Sequence, residues 1–231
     1  MSNRNSTMSI ALVHGIPGVI NTMDTLARRI CPGVTVYHLL NEGLFLELSR
    51  AGGITPSIMR RLSLFISSAE DAGASVILVT GSTLSPAVDV ARKMVSVPIL
   101  KIDEAMAEEA VKLGATIGLV ATEEATVKPS TQIISSKATE LMRDVKIITR
   151  VSPEARKLFR EGNVSEHDAL IVEMVKELES KADVIVLAQS SMYSALAAAR
   201  SSVSIPVFAS PELALNRVRQ ILTEMGWIPQ N

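Results

Sequence analysis

A single cysteine, Cys31, in 231 residues excludes an internal disulfide, and no Cys/His cluster has metal-ligand spacing. Both absences suit a reducing, cytoplasmic setting. Aromatic residues make up only 3% of the chain, too few for a surface on which single-stranded bases could stack. The 23 basic residues nearly cancel the 24 acidic ones, for a net charge of -1. A nucleic-acid partner is therefore not expected, because a phosphate backbone calls for a surplus of Lys and Arg on one face. No segment stays apolar for the ~20 residues a membrane helix requires, and residues 1–7 are polar, without the apolar core of a signal peptide. No membrane association is expected.

What the chain does contain is a repeat. Shifting the sequence by 108 positions lays residues 74–99 over 182–207 without a gap, and ten of the 26 positions are identical. Ala74, Val76, Ile77, Ser82, Ala87, Ala91, Arg92, Val95, Ser96 and Pro98 recur as Ala182, Val184, Ile185, Ser190, Ala195, Ala199, Arg200, Val203, Ser204 and Pro206. Identity carried through a strand, a turn, a helix and a second strand points to a duplicated unit. At 47% hydrophobic the chain can support two small cores.

Short apolar runs at 10–13, 34–40, 76–79, 99–102, 117–120, 145–149, 184–188 and 207–208 read as strands, and amphipathic stretches between them as helices. Thr55-Pro56 opens one helix as N-cap and first residue, with Ile58, Leu62, Phe65, Ile66 and Ala69 as its buried stripe. Asp103 is placed to cap a helix over 104–113, and Ser165 to cap another over 166–180. Exposed apolar residues over 44–48 suggest a homo-oligomer. Continuous rather than alternating apolar strands imply parallel sheets covered on both faces. The expected fold is α/β: two flavodoxin-like lobes related by a pseudo-two-fold duplication, each a four-stranded parallel sheet flanked by helices. The first lobe would span 8–102 plus 211–231, with the terminal helix returning to it, and the second 103–210.

In open parallel sheets ligands bind beyond the carboxyl ends of the strands, where the strand order reverses. An order 2-1-3-4 puts that reversal between the first and third strands of each lobe. The loops there are 14–18 and 81–85 in one lobe, and 122–126 and 189–191 in the other. Two such edges facing each other would enclose a pocket rich in N–H groups and hydroxyls, suited to a small carboxylate. Gly81-Ser82-Thr83 reads as an anion nest or as an ordinary strand-to-helix turn, and Thr122 and Thr126 as site residues or helix caps. His14 is the one group on the first-strand loop that titrates near neutrality; it serves as a proton carrier or satisfies loop backbone. Tyr193 could donate to an oxyanion or pack beneath its helix. His38 reads as a core residue of its strand, His167-Asp168 as solvated helix face, and Cys31 as a small core residue.

The duplication, the motifs Val79-Thr80-Gly81-Ser82-Thr83 and Val186-Leu187-Ala188-Gln189-Ser190-Ser191-Met192, and the run from Val97-Pro98-Ile99 to Asp103-Glu104-Ala105-Met106 together resemble the aspartate/glutamate racemase superfamily. That superfamily includes hydantoin racemases, maleate isomerases and arylmalonate decarboxylases, and the resemblance runs through nearly the whole chain. It implies a cofactor-independent enzyme in which two cysteines, one at the end of the third strand of each lobe, flank the carbon next to a carboxylate. Those cysteine positions correspond to Gly81 and Gln189, neither of which is a thiol. An amide is neither acid nor base near neutral pH, so two-thiol racemization lacks both proton carriers here.

The expected activity is that of an isomerase or racemase acting alpha to the carboxylate of a small acid bound between the lobes. Gly81, Gln189 and His14 would stand at the reacting centre, with Ser82, Thr83, Thr122, Thr126, Ser190 and Ser191 binding the substrate. A decarboxylase-like lyase is the alternative, as is a carboxylate-binding protein that has lost catalysis along with both thiols.

Overall fold

The computed structural model describes residues 8–229; residues 1–7, read above as a polar stretch, lie outside them. Strands β1 (Ser9–His14), β2 (Thr35–Leu40), β3 (Val76–Val79) and β4 (Ile99–Lys101) form one parallel sheet in the order β2-β1-β3-β4. Strands β5 (Thr116–Ala121), β6 (Lys146–Val151), β7 (Val184–Leu187) and β8 (Val207–Ala209) form a second in the order β6-β5-β7-β8. This is the expected α/β class. The central strands β1, β3 and β7 are buried at every residue, and β5 at all but its first. Such burial on both faces is what makes their sequences largely apolar.

The connecting helices are α1 (Ile20–Ile30), α2 (Glu42–Ala51), α3 (Pro56–Asp71), α4 (Ser85–Ala91), α5 (Glu104–Leu113), α6 (Glu124–Glu140), α7 (Pro153–Arg160), α8 (Val164–Leu178), α9 (Leu196–Ser202) and α10 (Ser210–Glu224). Short 3-10 turns lie at Pro17–Val19, Ser82–Leu84 and Ser190–Ala195. The described residues divide into two compact units, 8–101 with 214–229, and 102–213. The core of the first packs Ala11, Val13, Ile77 and Val79 against Leu44, Leu48, Ile58, Leu62 and Ile66. That of the second joins Ile117, Leu119, Ile185 and Leu187 to Ile134, Ile171 and Val175.

Most residues shared by the two copies are scaffold. Arg92 Nε donates to the Ile99 carbonyl at 3.1 Å and Arg200 Nε to the Val207 carbonyl at 2.9 Å, each tying a helix to the strand after it. Glu70 accepts the Ser96 N–H at 2.7 Å, and Glu179 accepts the Ser204 N–H at the same distance. The carbonyls of Pro98 and Pro206 each receive a strand N–H at 2.9 Å, from Ile77 and Ile185.

Thr55 caps α3 as expected, its Oγ1 accepting the Ile58 N–H at 3.1 Å. Other expectations need correction. Helix α7 was not anticipated, although Ser152-Pro153 repeats the Thr-Pro signal and Ser152 Oγ accepts the Ala155 N–H at 3.1 Å. Asp103 precedes α5 but makes no side-chain cap; its side chain is buried instead. Helix α8 begins at Val164, so Ser165 lies inside it, and Asn163, the residue before it, makes no side-chain cap. Leu44 and Leu48 are not exposed: both are buried in the first unit's core, one helical turn apart, leaving Leu46 outward.

One backbone approach yields a direct test. A Cβ on Gly114 would lie 2.6 Å from the Cβ of Asp183, whose Oδ2 accepts the N–H groups of Ala115 and Thr116 at 2.9 and 2.7 Å. Gly114→Ala must push that carboxylate off the start of β5. Overpacking of this kind costs about 1–3 kcal/mol, so the urea midpoint of the variant should fall; an unchanged midpoint would refute the account.

Candidate functional site

In the first unit β1 and β3 are the adjacent central strands between which the order reverses. His14 is the last residue of β1, while β3 ends at Val79 and continues through Thr80 into Gly81, Ser82 and Thr83. The structure therefore brings His14 and the Gly81 turn to the same carboxyl edge. Its Nδ1 lies 2.8 Å from Thr80 Oγ1, and its Nε2 lies 2.9 Å from His38 Nδ1, with the two rings stacked at a centroid separation of 5.2 Å. His38 Nε2 in turn lies 3.0 Å from Asp24 Oδ1, and Arg28 binds Asp24 with distances of 2.7 and 2.9 Å. His38 is thus half-buried and bonded at both nitrogens.

Two proton arrangements with a neutral His14 satisfy this chain. In one, Thr80 donates to the Val13 carbonyl at 3.1 Å and accepts from His14 Nδ1. His38 then donates through both nitrogens, to His14 and to Asp24, and carries the charge. In the other, Thr80 donates to His14 Nδ1, His14 Nε2 donates to His38 Nδ1, and both rings are neutral. The two differ by one proton, and His14 is neutral in each. Burial, with the neighbouring His38 second, pushes the His14 pKa down to about 4.

Gly81 has extended backbone, φ -106°. A Cβ there would meet Leu84 Cδ1 at 3.4 Å, ordinary contact, so the position has room for a side chain. Ser82 and Thr83 are buried and open a 3-10 turn closed by the Leu84 N–H on the Gly81 carbonyl at 2.9 Å.

The second unit gathers its predicted residues at the corresponding edge. Gln189 takes the place Gly81 holds in the first copy, and its Oε1 accepts both the N–H and the hydroxyl of Thr122, at 2.6 and 2.8 Å. That pair bridges the ends of β5 and β7 and fixes the amide. Ser190 and Ser191 begin the 3-10 turn, closed by the Met192 N–H on the Gln189 carbonyl at 3.0 Å. Thr126 is no cap: it is the third residue of α6, fully buried, and its hydroxyl has no hydrogen-bond partner among the described residues. Ser130, one turn further on the same face, is in the same condition. Tyr193 packs half-buried against the second core.

Residues outside the expected set also lie here. Arg156, on the unanticipated α7, places Nε 2.5 Å from Glu123 Oε1 just before α6, and burial pulls its pKa down. Ser210, directly after β8, is fully buried with an unpartnered hydroxyl among the described residues. His167 is the largest correction: it is fully buried, not solvated. Cys31 is also buried, at the end of α1, and burial raises its thiol pKa to about 11; a thiol with that pKa is protonated and a poor nucleophile. Among the described residues no group of three His, Cys, Asp or Glu is arranged to hold a metal ion, and no helix is long and apolar enough to cross a membrane.

The family model for Asp/Glu/hydantoin racemase matches residues 45–218, about three quarters of the chain. The chain belongs to the Asp/Glu/hydantoin racemase family. Solved structures carry the same fold. Glutamate racemase from Thermus thermophilus, in complex with beta-chloro-D-alanine, is 20% identical with a TM-score of 0.72, over 99% of this chain and 86% of that one. Allantoin racemase from Klebsiella pneumoniae is 16% identical, TM-score 0.71, over 97% and 94%. Picrophilus torridus aspartate racemase is 14% identical, TM-score 0.73, over 95% and 94%. No curated protein sequence matches this member of the family.

Proposed function

We propose that this family member is a cofactor-independent racemase or isomerase that labilises the proton alpha to the carboxylate of a small acid, through an enolate-like intermediate. The observation that carries the reading is the doubled cluster at the carboxyl edges: Gly81-Ser82-Thr83 beside His14 in one copy, and Gln189-Ser190-Ser191 bonded to Thr122 in the other. Turn amides and hydroxyls at such edges stabilise a carboxylate and, more strongly, the extra charge that develops on it as the alpha proton leaves. In this reading the turn amides and hydroxyls hold the carboxylate of the acid, with Thr126 contributing its hydroxyl in the second unit. His14 supports the reaction from within the first copy, since both its nitrogens are already hydrogen-bonded.

A second reading rests on a specific observation. Gly81 has no side chain, and Gln189 Oε1 is committed to Thr122, so neither moves a proton. A binder of small carboxylic acids without turnover would have that pattern, and a decarboxylase-like lyase would still need a proton donor at the second position. Incubation in deuterated water with aspartate, glutamate, hydantoins, allantoin, maleate and arylmalonates separates these. Deuterium at the alpha carbon is the expected result. Binding without exchange throughout the panel would remove the enzyme reading in favour of the binder.

A further inference from the structure

Gln189 and Thr122 lie just beyond the carboxyl ends of β7 and β5, the adjacent strands between which the order of the second sheet reverses. A backbone N–H only donates, so the Gln189 atom that the Thr122 N–H meets at 2.6 Å is the amide oxygen. The Thr122 hydroxyl donates to the same oxygen at 2.8 Å and fills its remaining acceptor capacity. The orientation of the amide is thereby fixed: Nε2 keeps two hydrogens, and the group has no acceptor left to offer. Gln189 is half-buried, and among the described residues its Nε2 has no hydrogen-bond partner. The first unit bridges the equivalent strand ends differently. His14 meets Thr80 at 2.8 Å and His38 at 2.9 Å, which commits both ring nitrogens. One copy closes its edge with a spent side chain, the other with one that still has hydrogens to give.

We propose that Gln189 Nε2 is a fixed hydrogen-bond donor to a carboxylate oxygen of the substrate, with Thr122 as the positioning residue that aims it. This rests on the proposed function, which puts the acid at these strand ends. The class of ligand group follows from the hydrogens: only an acceptor can meet them, and an ammonium, itself donor-only, cannot. No proton changes hands at Gln189. Its contribution is electrostatic, because a donor oriented in advance stabilises the charge that develops on the carboxylate oxygens more than it stabilises the bound acid. The end of β7 thus holds and polarises the substrate by hydrogen bonding, where a thiol would act by proton transfer.

Gln189→Glu separates donation from packing. A carboxylate there keeps an oxygen for the Thr122 N–H and hydroxyl, but it has no hydrogen to give and repels an anion. The test measures affinity and alpha-deuterium exchange of the full chain with aspartate, glutamate, maleate and phenylmalonate at pH 7, beside urea unfolding. Gln189→Glu is expected to unfold near the wild-type midpoint and to bind the acid that the wild type prefers at least about 100-fold more weakly, from the lost donor and the like charge together. Gln189→Leu, which removes the donor without adding charge, should weaken binding by about tenfold or more, and exchange should fall further than affinity. Wild-type affinity in Gln189→Glu would overturn this inference alone, as would a loss in Gln189→Glu with none in Gln189→Leu, which would mark a neighbour of the site and not a donor. Wild-type binding without exchange, weakened in both variants, would support the donor while removing turnover. Failure of the wild type to bind any of the four acids would overturn the proposed function and this inference together.

Discussion

Replacing Ser82 and Thr83 together by alanine is expected to abolish detectable alpha-proton exchange. Both side chains are buried at the carboxyl edge of β3, and the bond that closes their turn, Leu84 N–H to the Gly81 carbonyl, is made by backbone alone. The turn therefore survives the substitution while its hydroxyls are lost. One preorganised donor aimed at developing charge is worth roughly 3 kcal/mol. Two such losses, even if incompletely additive, amount to at least about a thousandfold in rate. The check is the exchange rate and the affinity for small carboxylic acids, measured beside urea unfolding to establish that the fold is intact. A double variant with wild-type affinity and rate would remove this turn from the site.

Acid should weaken the first unit in a window that His14 defines. Unfolded, this histidine takes a proton near 6.5; folded, only near about 4. Between those values the unfolded chain holds more protons, so stability falls as the pH drops from 6.5 toward 4 and levels off below. The difference corresponds to about 3 kcal/mol. Asp24 acts in a lower window: its bonds to Arg28 and then His38 bring its folded pKa down from 3.8 to about 2, so the stability it contributes is present above 3.8 and is lost as the pH falls toward 2. Trp227, the single tryptophan, belongs to the first unit, and its fluorescence during urea unfolding at pH 7, 5.5 and 4 reports the effect. His14→Gln should flatten the dependence. A slope that persists in that variant would assign the acid sensitivity to another group.

The scaffold was legible in the sequence because its signals are local or periodic. The strands followed from the repeat and from apolar runs, and Thr55-Pro56 marked a helix start by the chemistry of its two residues. Two of the errors share a physical origin, since each concerns a surface whose packing against a neighbouring element had not been read. His167-Asp168 looks solvated when only α8 is considered. Once α7 is present, with Phe159 against the imidazole, the same face is interior. Leu44 and Leu48 read as exposed until they are found in the core that α3 shares. The bonds linking Thr80, His14, His38 and Asp24 were beyond reach for another reason. They join residues 66, 24 and 14 positions apart, which only strand register and the packing of α1 bring together.

The paired latches have a consequence for how the two halves can diverge. Arg92 and Arg200 grip the strand that follows them, and Glu70 and Glu179 hold the chain just before it, in nearly the same way. Where chemistry would occur, the copies differ: Thr80 and Gly81 in one stand opposite Ala188 and Gln189 in the other. Frame and contents are thus separately inherited, so either mouth can be rewritten for a new guest while the girders beneath it stay as they were.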